Sequence, residues 1–96
     1  MRYNRKFIQA RFEMAMDAIG APHGATYTKT ENGYRANVGV HFIDHAACYG
    51  GYTIRRISNE SGGESEVFGS NRHNASAFVA LLDGILGAAR IMGERA

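Results

Sequence analysis

Apolar residues return at helical spacing between Asn4 and Ile19: Ile8, Phe12, Ala15 and Ile19 form the stripe, and Phe7 and Met16 widen it. Asn4 precedes the run as a cap, and Gly20 followed by Pro22 stops it. The period then falls to two. In "ATYTKTENGYRANVGVHFI", Asn32-Gly33 between alternating segments predicts a two-residue hairpin with Glu31 opposite Tyr34. That register places Tyr27, Ala36, Val38, Val40 and Phe42 on an apolar face. Thr26, Thr28, Thr30, Arg35, Asn37 and His41 fall on a polar face, expected to meet solvent or a partner.

A second hairpin follows, with "GYTIRRIS" as one strand, "NESGGE" as the turn and "SEVFG" as a short edge strand. Ser70 or Asn74 then caps a long helix whose main stripe is Phe78, Leu82, Ile85, Ala89 and Met92. Leu81, Leu86, Ala88 and Ile91 lie outside that stripe, and Gly84 and Gly87 interrupt the helix at a propensity cost that close approach of another backbone would offset. The expectation is an α+β domain of order α-β-β-β-β-α spanning residues 1–96: a four-stranded antiparallel sheet with two helices on one face. The last helix is expected to pair with its copy in a homo-oligomer.

Composition narrows the function classes without choosing among them. With 45% hydrophobic residues, one Pro and 96 residues, the chain reads as one folded domain. A net charge of +2 permits nucleic-acid binding but does not imply it. Cys48 is the only cysteine, which excludes an internal disulfide and suits a reducing compartment. The longest unbroken apolar stretch, Ala77 to Leu82, is too short to span a bilayer, and Gln9, Arg11 and Glu13 interrupt any signal peptide begun by Arg2, Arg5 and Lys6. A cytoplasmic protein without a membrane partner is expected.

Three stretches carry candidate chemistry. "HFIDHAAC" offers His41, Asp44, His45 and Cys48 as metal ligands or as a Cys-His pair, but it lacks the paired ligand spacing of a zinc site and any oxyanion-forming helix start. No metal and no catalytic residue is assigned there. "YGGYTIRRISNESGGESEVFGSNR" has neither a Walker loop nor a dinucleotide fingerprint, so no cofactor is expected. Its glycine pairs suit a turn and a bend. Tyr49 and Tyr52 offer stacking faces beside them, Arg55, Arg56 and Arg72 offer forked donors, and Asn59 and Glu60 offer polar edges. In "FGSNRHN", Ser70, Arg72 and His73 stand at or near the start of the last helix, where a positive charge calls for an answering anion. That anion is either a ligand or the side chain of Glu64 or Glu66.

The helix–strands–helix order is similar to that of double-stranded RNA-binding domains, a likeness of topology only. Tyr49-Gly50-Gly51-Tyr52, then Asn59-Glu60 with Gly62-Gly63, then Phe68-Gly69-Ser70 with Arg72 and the helix carrying Phe78 resemble a signature of small uncharacterised phage and prophage accessory proteins. The resemblance implies a compact protein that binds and neutralises something of the host: a defence component, a signalling nucleotide or a nucleic acid. The expected function is therefore non-enzymatic binding of an anionic small ligand such as a nucleotide, through Tyr49, Tyr52, Arg55, Arg56, Asn59, Glu60, Ser70, Arg72 and His73. The alternatives are a protein-interaction inhibitor acting on a host protein through the polar sheet face, and a nucleic-acid-binding module.

Overall fold

The computed structural model describes residues 3–46, 50–69 and 72–95, with Glu94 and Arg95 described by backbone alone. Helix α1 spans Arg5–Ile19, and α2 spans Ala75–Arg95. Between them lie β1 (Tyr27–Thr30), β2 (Gly33–Ala36), β3 (His41–Ala46), β4 (Gly51–Ile57) and β5 (Glu64–Glu66).

Both helices begin on side-chain caps. Asn4 Oδ1 accepts from the Phe7 N–H at 2.7 Å, and Asn74 Oδ1 accepts from the Ala77 N–H at 2.9 Å. Gly20, at φ 69°, closes α1 in the left-handed conformation that favours glycine. Of the expected α1 stripe, Ile8, Phe12, Ala15 and Met16 are buried against Phe78, Val79 and Leu82 of α2 and Ile54 of β4, whereas Ile19 and Phe7, also expected there, are exposed. Truncating Phe12 to Ala in such a core costs about 3–5 kcal/mol. Arg11 and Asp83 pair across the two helices at 2.9 Å.

The strands do not form the expected single four-stranded sheet. Among the described residues there are five, in two sheets: a β1-β2 hairpin, and an antiparallel sheet of order β3-β4-β5. The break falls at 37–40, inside the stretch whose alternation reads as one continuous strand. Asn37 ties that corner to the start of the hairpin: its N–H donates to the Thr26 carbonyl, its Nδ2 to the Ala25 carbonyl, and its Oδ1 accepts from the Thr28 hydroxyl. Gly39, at φ 93°, then turns the chain into β3.

The hairpin register differs as well. Thr30 pairs with Gly33 and Lys29 with Tyr34, so Glu31 and Asn32 form the turn. A turn centred on Asn32-Gly33 would need positive φ at Asn32, and Gly33 alone of the two has it. The slip is two residues, so the faces are preserved: Tyr27 still shares a side with Ala36, and Thr28 with Arg35. Tyr27 and Val38 are nonetheless exposed, because the helices cover the other sheet. Only Ala36 of β1 and β2 is buried, and the Tyr27 hydroxyl rests over the Gly62 turn.

In α2 the buried positions are Phe78, Val79 and Leu82, all in the first half. Met92, expected at the end of the main stripe, is 72% exposed, and Ile91 is 54% exposed, because the fold packs only against the first half of the helix. Residues Ala75–Gly93 have a mean hydropathy of 1.6 and are long and apolar enough to cross a membrane by length and composition, with 17% of that stretch buried inside the fold.

Candidate functional site

Along β3 and β4, alternation places Ile43, His45, Tyr52 and Ile54 on the face turned toward the helices, and Asp44, Thr53, Arg55 and Ile57 on the other. His45 and Tyr52 are cross-strand partners whose rings stack at 4.1 Å and 16°, and Tyr52 stacks in turn on Phe78 at 5.4 Å. A column of three rings thus runs from the core to the surface, with His45 at the exposed end.

Helix α1 lies beside β3 with its first turn near His45, where Arg5 Nη2 is 3.4 Å from His45 Nδ1. Its last turns lie near the opposite end of the strand: Asp17 Oδ1 is 2.7 Å from His23 Nε2, and His23 bridges to His41. Between helix and strand is a cleft of about 540 Å³ lined by Arg5, Lys6, Ile8, Gln9, Ala10, Glu13, Ile43, His45 and Tyr52. Such a volume suits a small ligand or a short segment of another chain. The floor is apolar and aromatic. The rim carries Arg5 and Lys6 near His45, and Glu13 about two turns farther along the helix.

The residues singled out in the sequence are distributed differently. Arg55 Nε donates to Glu64 at 3.0 Å and its Nη1 to Glu66 at 3.3 Å, bridging β4 to β5. Arg72 is answered neither by Glu64 nor by Glu66. Its Nη2 donates to Asp44 Oδ2 at 2.7 Å, and its Nη1 to the carbonyls of Asp44 and Gly51 at 3.3 and 3.1 Å. His73 exchanges two backbone hydrogen bonds with Tyr52, at 2.7 and 2.8 Å, continuing the edge that β5 begins. Asn59 Oδ1 accepts from the N–H groups of Ser61 and Gly63, folding the turn on itself, while Glu60 and Arg56 are exposed. Tyr49 and Ser70 lie outside the described residues. Of the seven that are described, Tyr52 alone lines the cleft.

The candidate metal ligands also separate. Asp44 faces away from His41 and His45, and His41 Nδ1 sits 3.0 Å from the Pro22 carbonyl. No group of three His, Cys, Asp or Glu side chains is placed to hold a metal among the described residues, and Cys48 is outside them.

Sequence reasoning passed over Arg5, Lys6, Gln9, Glu13 and Ile43. The available signal was the flank of the first helix, where residues 5, 6, 9, 10 and 13 form a second stripe beside the buried one. Comparison with protein-family models, curated proteins and solved structures returned no match.

Proposed function

We propose that this chain is a non-enzymatic binding protein that takes an anionic ligand in the cleft between α1 and β3. The observation that carries the reading is the placement of Arg5 and Lys6 in the first turn of α1, which contains no acidic residue. The positive end of the helix dipole disfavours cations there, so two of them in one turn concentrate a positive potential that an anion relieves. His45, on the β3 side of the cleft and 3.4 Å from Arg5, adds a third nitrogen-bearing side chain, and Tyr52 and Ile43 supply apolar contact. A nucleotide matches this chemistry, with phosphate at Arg5 and Lys6 and base against the His45–Tyr52 column. Relative to the sequence expectation, the seat moves from the Tyr/Gly/Arg segment to α1 and β3, with Tyr52 common to both.

A phage-type accessory role in the cytoplasm, neutralising a host component, belongs to the same proposal and is supported by the sequence resemblance alone. So does self-association through α2, supported by the exposure of Ile91 and Met92. Native mass spectrometry of the purified protein, with absorbance at 260 nm, tests the reading: a retained anionic species lost in the Arg5→Ala/Lys6→Ala double variant is expected. A species retained equally by that variant would overturn the cleft as its seat.

A further inference from the structure

Among the described residues, no backbone group hydrogen-bonds to the edge of β3 at Ile43 and His45, where it borders the cleft. In the order β3-β4-β5, β3 is an outer strand. The His41 N–H points away from β4, since it donates to the Pro22 carbonyl at 2.8 Å. Antiparallel alternation then turns the backbone groups of Ile43 and His45 outward too. The same two residues line the cleft.

The chain itself uses this edge at its other end. Residues 22–23 lie along β3 in a parallel bridge, His23 to His41, and then leave it at Gly24, φ 122°. From Ile43 to His45 no described segment pairs with the edge, which runs beside the first half of α1. The helix from Arg5 to Glu13 covers about 12 Å, the length of roughly four extended residues.

Resting on the cleft as the binding site, we propose that its ligand is an extended acidic peptide segment of a partner protein, added to β3 as a fourth strand of the sheet. Main-chain bonds to Ile43 and His45 give the affinity, as in other strand additions at sheet edges. Charge gives the polarity. A carboxylate belongs at the end where Arg5, Lys6 and His45 converge, and a neutral or basic residue belongs beside Glu13. The apolar floor of Ile8, Ile43 and Tyr52 takes side chains from alternate positions of the incoming strand.

The test is selection from a random ten-residue peptide display library on the intact protein, run beside an adenosine monophosphate titration. Enriched peptides should pair alternate apolar residues with an Asp or Glu at one end. Their affinity should fall at least tenfold when alternate peptide amides are N-methylated, which leaves the protein untouched, and at least tenfold in the Arg5→Ala/Lys6→Ala variant. Peptides that tolerate N-methylation along their whole length would overturn strand addition. If the library yields nothing while adenosine monophosphate binds in an Arg5- and Lys6-dependent way, the peptide inference falls and the cleft stands. If neither binds, both fall.

Discussion

Arg72 and Asp44, 28 residues apart, meet through Nη2 and Oδ2 at 2.7 Å, and the same guanidinium also holds the Asp44 and Gly51 carbonyls. One side chain thereby ties the segment entering α2 to both strands of the β3-β4 hairpin. The cation before the helix start, for which the sequence demands an anion, finds it in Asp44.

Arg72→Ala should therefore act on stability. The pair is half-buried, so the expected loss is about 1–2 kcal/mol, between an exposed ion pair and a fully sheltered charge-assisted bond. Urea denaturation of Arg72→Ala, Asp44→Ala and the double variant measures it. Strictly additive losses would show that the two residues do not cooperate.

Gly51 is required by the same junction. Its φ of 109° and the approach of the His73 carbonyl to the place a Cβ would occupy leave no room for a side chain. Gly51→Ala should cost about 1–3 kcal/mol from backbone strain, with more from displacing residues 72–74. Hydrogen exchange at the His73 amide, bonded to Tyr52, should accelerate as that bridge loosens. Unchanged exchange and stability would contradict the close approach.

Lys6→Glu separates binding from folding. Replacing a cation with an anion in the first turn of α1 should stabilise the ligand-free protein by about 0.3–1 kcal/mol, seen as a raised melting temperature, while abolishing anion binding. A variant that loses stability would show that Lys6 serves the fold.

The helices were legible in the sequence because their caps are local: Asn4, Gly20 and Asn74 act within a few residues of themselves, while the apolar stripes were right only where the other elements reach them, since Ile19 and Met92 are exposed and Val79 is buried. The two-sheet arrangement was not. It depends on Asn37 bonding back to residues 25, 26 and 28, while the alternation through Val38 and Val40 imitates an unbroken strand. The cleft was harder still. Arg5 and Lys6 carry no motif, and they meet Ile43 and His45 only because α1 lies along an edge strand some 40 residues away.

Self-association through α2 is best probed at Ile91, which is exposed, whereas Leu86 packs partly on the core. Light scattering at micromolar concentration should give a mass above 10.5 kDa that Ile91→Glu returns to the monomer value. A monomer at every concentration would remove this interface from the account.

The cleft itself is tested most directly by amide chemical-shift mapping with two anionic probes, adenosine monophosphate and acetylated tetraglutamate. The account predicts that at least one probe shifts a cluster formed by Arg5, Lys6, Gln9, Ile43, His45 and Tyr52. Shifts confined to residues 55–64 or 72–73, or none from either probe at millimolar concentration, would contradict it.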